Sequence, residues 1–316
     1  MDTLRCRLGG SSRFVSAIGL GTWQFSQGHG LIGKFWPTLD NNTITGIVKT
    51  AISGGINWFD TAEAYGGGQS EHALSQSLND LQILHNDAMV ATKWWPLFRA
   101  SQSLESTIEK RLHHLQGWPI ALYQIHQPYS KSSIADQMAS MARLLDLGLI
   151  QQAGVSNFSA SQMTEAYRAL KAHGHILASN QVRFNLLDRR IETNGVLSAA
   201  QDLGITIIAY SPLAQGLLTG KFHSRSTPLR GFRRLSPQFS ARGIAKTASL
   251  IYALDTLAAK YHVSMAEVAL NWLITTPGQF VTAIAGATSS VQAEQNAHAM
   301  RWSISASDRS ALDHVS

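Results

Sequence analysis

Residues 56–78, INWFDTAEAYGGGQSEHALSQSL, contain one complete strand–loop–helix unit. The apolar run Ile56–Asp60 is typical of a buried strand, and Ser70–Leu78 has the apolar spacing of a helix. The loop between them carries Tyr65 and three consecutive glycines. Because the same order of strand and helix recurs along the chain, this unit decides the fold.

Seven further apolar runs of strand length alternate with amphipathic segments. The eight predicted strands are Gly19–Trp23, Ile56–Asp60, Met89–Lys93, Leu122–His126, Gln152–Val155, Ser179–Val182, Ile205–Tyr210 and Thr282–Ala285. The predicted helices are Thr43–Ser53, Ser70–Leu78, Leu104–Leu115, Ser133–Leu147, Ala160–Ala172, Gly195–Leu203, Thr247–Tyr261 and Val291–Met300. A strand–helix order repeated eight times predicts an α/β fold, the (β/α)8 TIM barrel. Ser70 ahead of Glu71 predicts a helix start, and Gly148 and Gly204 predict helix ends.

Three segments fall outside this alternation. Residues 4–20, LRCRLGGSSRFVSAIGL, predict a hairpin with its turn at residues 9–12, which would cap the bottom of the barrel. Residues 213–246 show no clear period, as is typical of a long functional or disordered loop. Val263–Leu273 predicts an additional helix before the last strand. No linker composition divides the chain, so residues 1–316 are predicted to form one barrel domain.

Composition and charge indicate which kind of partner the protein binds. The formal net charge is +6 and the pI is about 9.5, but the basic residues are scattered and no nucleic-acid-binding motif accompanies them. No run approaches the roughly 20 apolar residues that span a bilayer. Cys6 is the only cysteine, and no apolar signal peptide is recognisable, so we expect a cytoplasmic protein. A small molecule is the expected partner. The sequence allows a homo-oligomer without specifying one.

Four polar residues follow three consecutive predicted strands. Asp60 ends one strand and Tyr65 follows it in the loop, Lys93 ends the next, and His126 ends the third. In a barrel of this kind the active site lies at the carboxyl ends of the strands, so these side chains are expected to converge. Each residue taken alone is more often structural than catalytic. The four together indicate a site.

Their chemistry suits the reduction of a carbonyl group, in which the oxygen gains negative charge and needs a proton. Tyr65 is the candidate proton donor, and a nearby Lys93 ammonium would stabilise its phenolate. Asp60 would hold Lys93 in its charged form. His126 would direct a ring N–H at the carbonyl oxygen.

Seven segments carry a resemblance to a known family. They are GLGTW, NWFDTAEAYGGGQSE, ATK, IHQP, GVSNFS, NQVRFN and IAYSPLAQGLLTGKF. In this order, and over nearly the whole chain, they resemble the aldo-keto reductase superfamily. The resemblance implies a catalytic tetrad at Asp60, Tyr65, Lys93 and His126.

The resemblance also implies a nicotinamide dinucleotide across the barrel mouth. Ser156, Asn157 and Gln181 match the residues that hold its carboxamide, and Tyr210 matches the aromatic under its ring. The matching cofactor positions are Thr22, Trp23, Asp60, Ser156, Asn157, Gln181, Tyr210, Ser211, Leu213, Gln215, Lys221, Gly286, Thr288, Gln292, Gln295 and Asn296. Amide side chains at strand ends suit this role because they both donate and accept hydrogen bonds.

The sequence departs from the family pattern at the expected site of the coenzyme's 2′-phosphate. Many members carry a basic residue at the position of Thr288 or Ser289, and neither residue is charged. A helix N-terminus can still bind phosphate, and Lys221 with Arg225, Arg230 or Arg233 are candidates to close over it. NADPH is therefore favoured, with NADH left open. The cluster of Arg230, Arg233, Arg234 and Arg242 is equally typical of a solvated loop.

The substrate pocket and metal binding give weaker signals. The aromatic residues near the strand ends are the pocket candidates, namely Trp23, Phe25, Trp36, Trp94 and Trp95, and simple packing at the rim would account for them equally well. The histidine pairs at 113–114 and 173/175 lack nearby carboxylates or cysteines, so no metal site is predicted. Residues 28–33, GHGLIG, match a dinucleotide fingerprint only as a string, since no helix pattern follows.

Three functions fit these residues. The first is NADPH-dependent reduction of aldehydes or ketones to alcohols. The second is a regulatory subunit that binds NADPH and senses redox state with little turnover, a role known among relatives of the family. The third is a barrel aldolase in which Lys93 forms a Schiff base. The intact tetrad favours the first.

Overall fold

Eight parallel strands close into a barrel in the computed structural model, which describes residues 4–11, 13–33, 35–223, 227–229, 233–234, 236–276 and 279–316. An antiparallel pair, β1 (Arg5–Arg7) and β2 (Phe14–Ser16), precedes it. The barrel strands are β3 (Ile18–Gly21), β4 (Trp58–Asp60), β5 (Met89–Trp94), β6 (Ile120–Ile125), β7 (Ala153–Ser156), β8 (Leu177–Arg183), β9 (Thr206–Tyr210) and β10 (Val281–Gly286). They neighbour one another in chain order, and β10 closes onto β3. The predicted TIM barrel is confirmed.

The helices follow the amphipathic segments of the sequence. They are α1 (Gly30–Gly33), α2 (Asn41–Ser53), α3 (Gln69–Asp80), α4 (Gln102–Ser106), α5 (Ile108–His114), α6 (Ile134–Asp146), α7 (Ala160–Ala172), α8 (Val196–Leu203), α9 (Ala241–Lys246), α10 (Ala248–Tyr261), α11 (Met265–Ile274), α12 (Ser290–His298) and α13 (Ala306–Val315). Local chemistry sets several starts: Ser159 and Ser264 each complete a capping box, with Gln162 and Glu267. Gly204 ends α8 in the left-handed conformation, as predicted.

Several boundaries differ from the prediction. The first barrel strand ends at Gly21, and a 3-10 helix, Trp23–Ser26, follows, in which the Phe25 N–H donates to the Thr22 carbonyl. The predicted helix 104–115 is split at Thr107, whose hydroxyl donates to the Ser103 carbonyl. Ser70 does not cap α3, because its hydroxyl donates to the Thr22 carbonyl inside the protein.

Two stretches contain structure that the sequence pattern did not show. Residues 213–246 hold a 3-10 helix at Ala214–Thr219, another at Pro237–Phe239, and α9. The short length of these elements explains why no period is visible. The last helix, α13, was not predicted, and it begins at a Ser305 cap and buries Leu312.

The hairpin β1–β2 seals the amino end of the barrel, where it was predicted to lie. The Gly9 N–H donates to the Thr206 hydroxyl at the start of β9, at 2.6 Å, and that hydroxyl donates to the Arg7 carbonyl. Above the hairpin the barrel interior is apolar. The Trp58 ring fills it, with the indole N–H donating to the Ser16 carbonyl at 2.9 Å.

Gly19 leaves the space that the Trp58 ring occupies. A Cβ atom at this position would lie 2.3 Å from the indole, far inside van der Waals contact. At Gly21, two residues along β3, a Cβ atom would meet nothing closer than 3.7 Å. The packing of Trp58 therefore requires a glycine at position 19, whereas position 21 has room for a Cβ atom.

We expect Gly19→Ala to lower the free energy of unfolding by about 2–3 kcal/mol, because overpacking must displace Trp58. Gly21→Ala is the matched control, with an expected change of about 0.5 kcal/mol or less. Urea unfolding followed by tryptophan fluorescence measures both. Equal losses would contradict this account of the barrel interior.

Among the described residues, none of the helices has the length and apolar content needed to cross a membrane.

Candidate active site

The four candidate catalytic residues come together at the carboxyl end of the barrel. Asp60 and Lys93 are fully buried and form an ion pair. The Lys93 ammonium also donates to the Thr61 carbonyl at 2.9 Å and lies 3.4 Å from the Tyr65 hydroxyl. The Tyr65 and His126 rings meet edge to face, with centroids 5.8 Å apart. Their assignment as catalytic residues stays a prediction, but the geometry that it requires is present.

The surroundings set the protonation state of each group. Burial lowers the pKa of Lys93, but the Asp60 carboxylate and the Tyr65 hydroxyl outweigh it, so the net pKa lies above its usual value. Burial raises the pKa of Tyr65, and the Lys93 charge opposes that rise. Burial and the Lys93 charge hold the pKa of His126 well below its usual value. At neutral pH the site therefore holds a charged lysine, a protonated phenol and a neutral imidazole.

A cavity of about 590 Å³ opens above these residues, and Tyr65 and His126 form part of its floor. Every residue that matched a cofactor position in the sequence lines it. These are Thr22, Trp23, Asp60, Ser156, Asn157, Gln181, Tyr210, Ser211, Leu213, Gln215, Lys221, Gly286, Thr288, Gln292, Gln295 and Asn296. The structure thus brings together residues from the ends of six barrel strands and the segments that follow them.

Three tryptophans form a wall beside Tyr65 and His126. Trp23 stacks on Tyr65 at 6.1 Å between centroids and meets the Trp36 ring edge-on at 5.8 Å. Trp95 meets the His126 ring edge-on at 5.1 Å. All three line the cavity, and their assignment to the substrate pocket stays a prediction.

The other two aromatic pocket predictions are wrong. Phe25 is fully buried in the hydrophobic core, because the 3-10 helix after β3 turns its side chain inward. Trp94 follows Lys93 on β5, so its side chain points to the opposite face of the strand. It is fully buried outside the barrel, with its indole N–H donating to the Ser103 hydroxyl.

Amide and hydroxyl groups also line the cavity. The Tyr210 hydroxyl donates to the Asn157 side-chain carbonyl at 3.0 Å, and the Ser156 hydroxyl donates to the Gln181 backbone carbonyl at 2.8 Å. Asn157 adopts a left-handed backbone conformation, with φ of 62°, which turns its amide into the mouth of the barrel. This donor and acceptor set fits a carboxamide group.

The cavity residues that follow the last strand are uncharged, whereas the segment after β9 contributes two cations. Thr288 leads into α12, whose first turn is capped by Ser289. Lys221 and Arg233 also line the cavity. Burial and the Arg233 charge lower the pKa of Lys221. Two cations and a helix N-terminus at the same cavity fit the phosphates of a dinucleotide.

The other arginines singled out in the sequence divide into two groups. Arg234 and Arg242 are exposed, as expected of a solvated loop. The positions of Arg225 and Arg230 lie outside the described residues. Of the arginines proposed to close over the coenzyme, Arg233 alone among the described ones lines the cavity.

A model of the aldo/keto reductase family matches residues 17–316. This chain belongs to that family. An uncharacterized oxidoreductase of Mycobacterium tuberculosis is 39% identical over 298 residues, which cover 94% of this chain and 88% of the relative. The family assignment therefore rests on sequence similarity over nearly the whole chain.

Two solved structures of similar proteins support the same placement. The glycerol dehydrogenase of Gluconobacter oxydans is 29% identical, with a TM-score of 0.85 over 100% of this chain and 95% of that one. An aldo-keto reductase of Klebsiella pneumoniae in complex with NADPH is 25% identical, with a TM-score of 0.75 over the same shares. As an aldo/keto reductase, this protein is an NAD(P)H-dependent oxidoreductase that binds a nicotinamide cofactor.

This aldo/keto reductase also has site residues that sequence reasoning missed. Gln124 donates to Asp60 beneath the cavity, and Arg183 lines the cavity beside Tyr210. Both lie two residues from a predicted site residue on the same strand face, so strand alternation could have found them. Ser264–Ala266, at the start of α11, line the far end, and no sequence signal placed them there.

A buried ion network braces the loop that carries Tyr65. Glu63 accepts from the Trp95 backbone N–H and from Arg111, both at 2.7 Å, and pairs with Arg99. The same Arg111 lies 3.1 Å from a carboxylate oxygen of Glu71, which is fully buried. Arg111 thus pairs with two acids at once, while Glu63 ties the Tyr65 loop to the residue after β5.

We expect Arg111→Met to lower the free energy of unfolding by about 3–5 kcal/mol, because the fully buried Glu71 and the mostly buried Glu63 lose the guanidinium that they share. The control is Arg143→Met, which removes the exposed partner of Glu105 and should cost less than about 1 kcal/mol. Urea unfolding compares the two. A loss for Arg111→Met no larger than that of the control would show that the network does not brace the loop.

Proposed function

We propose that this enzyme reduces aldehydes or ketones to alcohols, with NADPH as the hydride donor and Tyr65 as the proton donor. The observation that carries the proposal is the fully buried Lys93–Asp60 pair, whose ammonium lies 3.4 Å from the Tyr65 hydroxyl at the floor of the cavity. Because water does not screen this buried site, the Lys93 charge acts more strongly on the Tyr65 hydroxyl than it would at a solvated surface.

Each residue has a defined part in this reaction. When bound, the nicotinamide supplies a hydride to the carbonyl carbon. The oxygen takes the electron pair of the C=O π bond, and the Tyr65 hydroxyl donates its proton to that oxygen. The Lys93 ammonium stabilises the phenolate that remains, and Asp60 keeps Lys93 charged. His126, being neutral, retains one ring N–H that orients the carbonyl.

The residues of the cavity fit the proposed coenzyme along its length. Asn157, Ser156 and Gln181 would hold the carboxamide, and Tyr210 would lie beneath the ring. Lys221 and Arg233 would provide positive charge for the phosphates, including the 2′-phosphate that Thr288 and Ser289 cannot pair with. The start of α12 adds backbone N–H groups at the same end.

The tryptophan wall supports a substrate class. Trp23, Trp36 and Trp95 offer flat apolar surface around Tyr65 and His126. Such a wall favours apolar or planar carbonyl compounds over highly charged ones. The Lys93 environment does not favour the aldolase alternative, since an amine paired with Asp60 stays protonated and a Schiff base needs a neutral amine.

We expect Tyr65→Phe to lower kcat for NADPH-dependent reduction of a panel of aldehydes by 10³-fold or more, because the proton donor is lost. The Kd for NADPH, measured by quenching of tryptophan fluorescence, should stay within about threefold of the value for the unsubstituted protein. If the unsubstituted protein bound NADPH tightly but showed no Tyr65-dependent turnover, the regulatory-subunit alternative would replace this proposal.

Coenzyme selectivity is tested at two neighbouring arginines. We expect Arg233→Met to weaken NADPH binding about tenfold or more while changing NADH binding much less, because a charge-assisted contact to the 2′-phosphate is lost. Arg234→Met is the matched control, since Arg234 is exposed, and should leave both affinities unchanged. Equal weakening for both coenzymes would assign Arg233 to the pyrophosphate instead.

A further inference from the structure

Two buried amides lie against the carboxylate of Asp60. The Gln124 side-chain nitrogen donates to the Asp60 Oδ2 atom at 3.1 Å, and the Gln181 nitrogen donates to the same atom at 2.9 Å. The Gln181 nitrogen also lies 3.4 Å from the Gln124 carbonyl oxygen. The other oxygen of Asp60 pairs with Lys93. All four side chains are at most 2% exposed.

Chemistry fixes the orientation of Gln124. A carboxylate can only accept hydrogen bonds, so the NH₂ end of each amide must face Asp60. That orientation leaves the Gln124 carbonyl oxygen as the acceptor for the second N–H of Gln181. Gln124 is therefore held at both ends, and it lies beneath the cavity rather than in its lining.

We propose that Gln124 is a positioning residue that tunes the Tyr65 proton donor through Asp60 and Lys93. Donors on Oδ2 draw negative charge away from the other oxygen, so Asp60 attracts Lys93 less strongly. More of the ammonium's field then acts on the Tyr65 phenolate. This inference rests on the proposed reaction.

The charged and titratable groups around Tyr65 together determine how readily its phenolate forms. Lys93 on β5 favours the phenolate, while Asp60 on β4 disfavours it. His126 after β6 is neutral, and the Tyr210 hydroxyl at the end of β9 disfavours the phenolate weakly. Gln124 acts on the two largest of these charges, since it touches Asp60 directly. Removing its N–H donor should therefore make the phenolate harder to form.

The experiment compares pH profiles of NADP⁺-dependent alcohol oxidation, in which Tyr65 must act as a base. For Gln124→Met we expect the rising limb of kcat to move to higher pH by about half a pH unit or more, because Asp60 loses a donor. The Kd for NADPH should stay within about twofold. Gln137→Met is the control, since Gln137 is an equally buried glutamine on α6 that donates only to the Ser132 and Ser133 carbonyls.

A purely structural role for Gln124 would lower stability without moving the pH profile, and that result would overturn the proposal. If Gln124→Met does not fold, Gln124→Asn serves instead, because it keeps an amide one methylene too short to reach Asp60. An unchanged pH profile of kcat in the folded Gln124→Asn variant would also overturn the proposal. Loss of Tyr65-dependent turnover in the unsubstituted protein would refute the proposed function itself, so the two failures are distinguishable.

Discussion

The ion pair between Lys93 and Asp60 is the interaction on which the rest of the site depends. Removing both charges from water costs several kcal/mol for each ion, and this cost is offset only when every donor and acceptor finds a partner. The three N–H groups of Lys93 face Asp60, the Thr61 carbonyl and the Tyr65 hydroxyl. With two amide donors on its second oxygen, Asp60 is equally well satisfied.

The barrel accommodates this buried ion pair because its interior is divided into two layers. Side chains two residues apart on a strand point to the same face, so Trp58 and Asp60 both face inward on β4. The lower layer is apolar and is closed by the hairpin, whereas the upper layer carries the polar groups. The apolar lower layer therefore stabilises the barrel, and the upper layer can hold charges that a uniformly apolar core would not tolerate.

Much of this arrangement could be predicted from the sequence, because strand ends in a barrel meet at one place. From the sequence, that single rule predicts that Asp60, Lys93 and His126 converge. It failed for Trp94, which points to the opposite face of β5 from Lys93, and for Phe25, which a 3-10 helix turns into the core. The start of α11 could not be predicted as cavity lining either, since only the packing of the helices decides which helix ends reach the mouth.

The coenzyme end of the cavity depends on contacts that cross the barrel mouth. In place of a basic residue after β10, Arg233 enters from the segment after β9, donates to the Gln215 carbonyl and stacks on Trp36 at 4.8 Å. Trp36 comes from the segment after β3 and belongs to the tryptophan wall. One guanidinium thus joins the proposed phosphate site to the proposed substrate wall. Because a stacked cation and its ring constrain each other, a change in either segment must affect coenzyme and substrate binding together.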